Sequence, residues 1–321
     1  MSKIPSLSLS ILIPKGNLPM YDMIVVGAGP AGLTAALYAR RAEKSVLVLE
    51  KSTFGGQITY SPKIENYPGV LSISGNELAD KLVEQALTQG VEIDMDTVTA
   101  VTSTDGYFTV TGENGKYDAK CVILALGARH RTLGLERESE FVGNGISFCA
   151  VCDGAFYKDQ TVAVIGGGNS ALQEAILLSE GCKKVYVVQN LAEITGEARL
   201  TAVLKEKKNV EFIMETVVTK LVGKETLSAV SLRNAKGEER NLPLDGMFIA
   251  IGLEPCNKPF QNLSALDLNG YFDADETCRT RTPGVFVAGD CRSKTIRQIA
   301  TAIADGASAA IAACRFLEED R

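Results

Sequence analysis

The run Tyr21–Lys51, YDMIVVGAGPAGLTAALYARRAEKSVLVLEK, decides the fold. Met23 to Val26 are continuously apolar, as in a strand covered on both faces. Gly27-Ala28-Gly29-Pro30-Ala31-Gly32 then turns the chain, Leu33 to Arg41 carries a helical pattern, and Ser45 to Leu49 reads as a second strand ending at Glu50. Glycines in such a turn let a pyrophosphate approach the backbone, with its charge on the helix N-terminus. Glu50 stands where an acid accepts hydrogen bonds from an adenosine ribose. Strand, turn, helix and acid together predict a dinucleotide site.

The pattern returns in QTVAVIGGGNSALQEAILLSEGCKKVYVVQN, residues 160–190. Gly166, Gly168 and Ala171 take the small positions of the turn, and Asn169 and Ser170 open the helix. The same 23-residue interval separates Gly27 from Glu50 and Gly166 from Gln189, which makes Gln189 the counterpart of Glu50. The second turn is intact, but its strand ends in the neutral amides Gln189 and Asn190. Two sibling apolar strands, CVILALGA (121–128) and GMFIAIGL (246–253), flank the repeat, and Val285–Ala288 supplies another strand before Gly289-Asp290. The chain therefore reads as α/β, with two Rossmann-like three-layer domains, the second inserted into the first. The outer domain is expected over 21–128 and 248–321, and the inserted one over 131–245.

The bulk numbers narrow the class. At 321 residues the chain is long enough for two domains, and a net charge of −6 offers nucleic acid no basic footprint. No apolar run approaches the ~20 residues of a membrane span. Residues 1–20 read as a disordered N-terminal extension, since Pro14 breaks their apolar run and no small-residue cleavage site follows. A cytoplasmic protein without membrane or nucleic-acid partners is expected. Cys121, Cys182, Cys256, Cys278, Cys291 and Cys314 stand alone in apolar patterns and read as small buried hydrophobes, so only Cys149 and Cys152 are spaced to act together.

In order and spacing, GAGPAG (27–32), GGQI (55–58), ENYPG (65–69), ALGA (125–128), CAVCDG (149–154), GGGNSA (166–171), AGD (288–290) and RQIA (297–300) resemble one family. It is the low-molecular-weight flavoprotein disulfide reductases, among them the bacterial thioredoxin reductases, and the resemblance spans nearly all of the chain after residue 20. It implies FAD in the outer domain, a redox-active CxxC and a pyridine-nucleotide site in the inserted one, and a homodimer. Carried over, the FAD contacts fall on Gly27, Gly29, Pro30, Ala31, Gly32, Glu50, Lys51, Gly56, Gln57, Asn66, Gly127, Asp290, Arg297, Gln298 and Ile299. The possible second nucleotide site falls on Gly166, Gly168, Asn169, Ser170, Gln189 and Asn190.

Zinc competes for Cys149 and Cys152, but a structural site needs further ligands, and the sequence has no second CxxC and only one histidine. No metal is expected, and a cycling dithiol is the reading retained. That histidine, His130, reads as an uninvolved surface or linker residue. By resemblance Cys152 is the flavin-side sulfur, Cys149 attacks the protein disulfide, and Asp153 is the acid/base. Phe156 reads equally as a docking aromatic or as core. Because the same sulfurs must meet the flavin and then a protein, the inserted domain is expected to rotate on linkers near Ala128–Thr132 and Leu242–Met247.

NADPH-dependent relatives carry a His-Arg-Arg cluster after the strand equivalent to Val185–Val188. Here Gln189-Asn190-Leu191-Ala192-Glu193 follows, and no arginine appears before Arg199. Each lost charge-assisted bond to a 2′-phosphate costs about 1.5–3 kcal/mol. Three donors remain compatible with this chain: ferredoxin or another low-potential carrier, weakly bound NADH, or weakly bound NADPH. The disulfide partner is expected to be thioredoxin or a similar CxxC protein. Alternatives are a carrier of the peroxiredoxin or glutaredoxin kind, or a flavin-bound redox sensor.

Overall fold

The computed structural model describes residues 20–319, apart from 62 and 105. Apart from Met20, the expected N-terminal extension lies outside the described residues. β1 (Tyr21–Val26), α1 (Pro30–Arg41) and β2 (Val46–Glu50) form the first βαβ unit. α2 (Gly75–Thr88) leads to β3 (Glu92–Met95), and β4 (Val98–Thr104), β5 (Tyr107–Gly112) and β6 (Lys116–Leu124) follow. β7 (Ala128–His130) leaves this unit, and α3 (Glu138–Phe141), β8 (Ile146–Ser147) and α4 (Ala150–Asp153) lead into the next. There β9 (Thr161–Ile165), α5 (Asn169–Ser179) and β10 (Lys184–Val188) repeat the βαβ design, extended by α6 (Ala198–Glu206) and β11 (Val210–Ile213). β12 (Thr216–Gly223), β13 (Leu227–Asn234) and β14 (Glu239–Pro243) make a separate antiparallel sheet. β15 (Gly246–Ile249), β16 (Leu253–Pro255), β17 (Val285–Val287) and α7 (Ile299–Glu319) complete the chain.

The first sheet is seven-stranded, in the order β3-β2-β1-β6-β5-β4, with β17 pairing the C-terminal half of β6. The second is five-stranded and parallel, in the order β11-β10-β9-β15-β8. Strand alternation feeds cores on both faces: Met23 and Val25 join one cluster, Ile24 and Val26 the other. β9 repeats this, with Ala163 and Ile165 on one side and Val162 and Val164 on the other. That double coverage is why these strands are unbroken apolar runs.

Two boundaries differ from the sequence reading. β15 pairs with β9 and β8, so residues 246–249 belong to the second sheet rather than starting the return to the first. The expected linker Leu242–Met247 is therefore occupied by strand residues of β14 and β15. What joins the units is a two-stranded antiparallel ribbon, in which β7 pairs with β16. Apolarity alone cannot say which sheet a strand joins.

The sibling strands have a shared purpose. A Cβ on Gly27, whose φ is +107°, would lie 2.4 Å from the Ala125 carbonyl oxygen at the end of β6. A Cβ on Gly166, at φ +130°, would lie 2.5 Å from the Ala250 oxygen just after β15. Each turn is pressed against the next strand end, so packing alone demands its first glycine.

By length and composition α7 is long and apolar enough to cross a bilayer, although no apolar run in the sequence reads as a membrane span. Here it packs along α1, and a Cβ on Gly306 would fall 2.2 Å from the Ala31 oxygen. Ala302, Ala309, Ala310 and Ala313 are buried with it. Its small apolar residues serve close helix–helix packing.

Candidate active site

Cys149 caps the N-terminus of α4, and a disulfide joins it to Cys152 across a Cα separation of 5.3 Å. The Cys152 backbone N–H donates to Cys149 Sγ at 3.2 Å. Asp153 follows at once, with Oδ2 accepting from the Ser147 hydroxyl at 2.6 Å and Oδ1 buried without a partner. Burial raises the Asp153 carboxyl above its ordinary pKa, and the Ser147 bond partly opposes this. Tyr157 lies edge-on to Phe248, and burial, reinforced by the Asp153 charge, pushes its phenol up to about 12.

The sequence reading missed several neighbours of the pair. Ser147 is invisible to spacing rules because a lone serine before CxxC carries no signal. His130 is half-buried: its ring stacks on Phe148 at 4.7 Å, and burial pulls its pKa down to about 4. It does lie in a linker strand, β7. Phe156 is half-buried rather than core, and Lys63 of the first unit sits 5.1 Å over its ring. Of the lone cysteines, Cys256 and Cys314 are only partly buried, unlike Cys121, Cys182, Cys278 and Cys291.

Around the first glycine turn the structure gathers residues from distant segments. Glu50 Oε2 accepts from the Ala28 N–H at 2.8 Å, and Oε1 accepts from the Lys51 and Ser52 N–H groups at 2.9 and 3.0 Å. Gly55 N–H donates to the Ala28 oxygen at 2.8 Å, laying GGQI over the turn, with a Cβ on Gly56 3.6 Å from Gly29 Cα. Gln57 Nε2 donates to the Ala128 oxygen. A Cβ on Gly289 would fall 2.8 Å from Ala31 Cβ, which places Asp290 beside the start of α1. Asp290 Oδ1 is buried and unpartnered, and burial raises its carboxyl against the opposing pull of Lys294 and Arg297. Arg297 lies 4.1 Å over Tyr271 and donates to the Asp290 backbone oxygen at 3.3 Å. Gln298 precedes α7, which starts at Ile299, and Asn66 Nδ2 reaches Gln298 Oε1 at 3.5 Å. Pro30 and Ala31 open α1, and Lys51 is exposed. Gly127 is left-handed at φ +65°, with open space where its Cβ would be.

The second turn is built alike and furnished differently. Gln189 is 5% exposed and spends its amide locally: Oε1 accepts from the Asn190 N–H at 3.2 Å and Nε2 donates to the Glu193 oxygen at 3.4 Å. A Cβ on Gly167 would lie 2.5 Å from that Nε2. Asn169 Nδ2 donates to Glu197 Oε1 at 3.0 Å, while Ser170 is exposed. Beside the turn opens a cleft of about 830 Å³, lined by Gly166, Gln189, Asn190 and, from the linker strand and the residue after it, Arg129, His130 and Arg131. Arg129 is paired with Glu254 at 3.5 Å.

Two nested dinucleotide folds with a CxxC between their glycine turns define a pyridine nucleotide-disulphide oxidoreductase, and the model of that family matches residues 21–306. The chain is 41% identical over 302 residues to the thioredoxin reductase of Listeria monocytogenes, covering 94% of this chain and 95% of that protein. A crystal structure of thioredoxin reductase from Streptococcus pyogenes superposes with a TM-score of 0.89 at 40% identity, covering 94% of this chain and 99% of that one. The Lactococcus lactis enzyme in its FR conformation gives 0.66 at 36% identity, covering 93% and 99%. The chain belongs to the low-molecular-weight thioredoxin reductase family. It is a flavoprotein oxidoreductase of the disulfide-reductase kind.

Proposed function

We propose that this chain reduces the disulfide of thioredoxin or a similar CxxC protein with its Cys149–Cys152 pair. The observation that carries the reading is the buried, partnerless Oδ1 of Asp153 directly beside that pair. A carboxyl held above its usual pKa in this position serves to hand a proton to a departing thiolate. Cys149 suits the attacking role, because the Cys152 N–H that meets its sulfur would stabilise negative charge there once the disulfide is opened.

FAD fits the first site. Asp290 Oδ1 lacks any protein partner, as an acceptor awaiting a ligand hydroxyl would, and Gly27, Gly29, Pro30, Ala31 and Gly32 leave the α1 N-terminus clear for a pyrophosphate. Glu50, Lys51, Gly56, Gln57, Asn66, Gly127, Asp290, Arg297, Gln298 and Ile299 would complete the contacts. When bound, FAD supplies the two-electron relay between the donor and the disulfide.

For the donor, the observation that matters is Gln189. Its buried amide is committed to local backbone groups, and no arginine follows it on the strand end. This supports a low-potential carrier such as ferredoxin delivering electrons directly to the flavin. The open cleft with Arg129 and Arg131 favours a second reading, weak binding of NADH or NADPH through Gly166, Gly168, Asn169, Ser170, Gln189 and Asn190.

Anaerobic stopped-flow decides between these readings, with the oxidised holoprotein mixed with NADPH, NADH or reduced ferredoxin. Prompt bleaching of the flavin by ferredoxin alone is expected. Equally fast bleaching by NADPH would overturn the donor reading. A homodimer in the cytoplasm completes the proposal. Rotation of the inserted unit on the β7–β16 ribbon is also proposed, and it is supported by the unequal superposition on the two relatives at similar identity.

A further inference from the structure

Ser147 ends β8 just before the redox pair, and it is 4% exposed. Its hydroxyl has a single proton to give and lone pairs to receive. The proton goes to Asp153 Oδ2 at 2.6 Å, and the Cys149 backbone N–H donates to the same Oγ at 3.1 Å. The Cys149 carbonyl oxygen, at 3.5 Å, is too distant to compete for that proton. One buried oxygen thus ties the carboxyl to the backbone that bears the attacking sulfur.

We propose that Ser147 is a positioning residue for the disulfide exchange. It occupies Oδ2, so that Oδ1, the oxygen without a partner, is the one that carries and delivers the proton. The inference rests on the disulfide-reductase reading above. In the exchange, the Cys149 thiolate attacks one sulfur of the partner disulfide; a mixed disulfide forms and the partner's S–S bond breaks. The departing thiolate takes the proton from Oδ1, and the carboxylate left behind keeps the Ser147 bond. Cys152 then returns its thiol proton to that carboxylate and attacks Cys149 Sγ. This re-forms the intramolecular disulfide and expels the second partner sulfur as a thiolate, so charge is conserved. The dithiol loses two electrons and the partner disulfide gains them.

The Ser147 bond lowers a carboxyl that burial raises, so removing the hydroxyl raises it further. The titratable and charged groups on the surrounding elements are Tyr157 in the following turn, Glu174 on α5, His130 stacked on Phe148, and Lys63 over Phe156. None of them replaces the lost bond. Asp153 must be protonated to act, so exchange declines as pH rises through its pKa, and Ser147→Ala moves that decline to higher pH.

The test uses the dithionite-reduced holoenzyme, freed of excess reductant, mixed anaerobically with oxidised thioredoxin or with 5,5′-dithiobis(2-nitrobenzoate) across a pH series. The second probe releases a weakly basic thiolate that needs no proton. Ser147→Ala should slow exchange with thioredoxin roughly tenfold, about one charge-assisted hydrogen bond. Its pH profile should be displaced upward, its rate with the small probe unchanged, and Ser147→Thr should restore the wild-type behaviour. Equal slowing with both probes, or an unmoved pH profile, overturns the proposal alone. A wild type that reduces the small probe but leaves thioredoxin oxidised brings down the parent reading and the proposal with it.

Discussion

Each glycine turn has one side chain set against it from the end of its second strand, Glu50 at the first and Gln189 at the second. Glu50 braces the first turn through the Ala28 N–H while keeping acceptor capacity for a ribose. Glu50→Ala should weaken FAD binding by about 1.5–3 kcal/mol, the worth of hydrogen bonds to a charged group. The flavin-to-protein absorbance ratio after dialysis reads this, and full retention would remove Glu50 from the site. Gln189 sits at the same register and offers a ligand neither charge nor a free amide. Replacing Gln189, Asn190 and Leu191 by His, Arg and Arg should speed flavin reduction by NADPH at least tenfold and leave NADH nearly unaffected. An unchanged NADPH rate would mean that the cleft, not the strand end, limits donor use. At the disulfide, Asp153→Asn should cost about 10²–10⁴-fold in thioredoxin reduction, the usual span of general acid–base catalysis. Direct reduction by dithionite should stay as fast as in the wild type.

Among the elements, the helices carry the clearest energetic statements. α1 and α7 approach so closely that any side chain at 306 meets the Ala31 carbonyl. Gly306→Leu should destabilise the protein by about 1–3 kcal/mol through overpacking and loosen FAD, whose pyrophosphate would sit at the same, N-terminal end of α1 as that contact. A lowered urea midpoint checks this. In α5 the Glu174 Oε2 is buried with no partner, and burial pushes the carboxyl up to about 8 from 4.5. Below pH 4.5 the group is neutral folded or unfolded, and it costs nothing. Between about 4.5 and 8 the unfolded chain releases a proton that the folded one retains, so stability falls as pH rises, and above 8 the loss is complete. Glu174→Gln should therefore be the more stable protein at pH 8, by roughly 1–3 kcal/mol, and no more stable at pH 4. Equal stabilisation at both pH values would show that its charge is not the cause.

In the molecule as a whole, the paired linker strands β7 and β16 join the two units. His130 stacks from β7 onto Phe148, and Lys63 reaches from the first unit to Phe156, so both contacts flank the redox pair. Gly252, left-handed at φ +106° with no near neighbour but an Arg131 methylene, absorbs the bend between β15 and β16. Gly252→Val should strain that bend and lower turnover with a protein disulfide, while leaving reduction of the internal disulfide at its normal rate. Unaltered turnover would place the hinge elsewhere. Much of this architecture was legible beforehand. The two βαβ units follow from apolar runs punctuated by glycine at equal spacing, a pattern that works locally. Strand 246–249 and the second linker were not legible, because a run apolar on both faces fits either sheet equally well.

The sequence by itself determined the nested nucleotide folds, the CxxC with its adjacent acid and the loss of the ribose acid at Gln189. Each is a matter of residue type at a fixed chain distance, and local geometry converts such distances directly into structure. Only the tertiary structure decided that Ser147 holds Asp153, that His130 stacks on Phe148, that Lys63 lies over Phe156 and that α7 lies along α1. Most of these contacts join residues far apart in the chain. Desolvation, which sets the acid's pKa, exists only once the surrounding elements have packed around it.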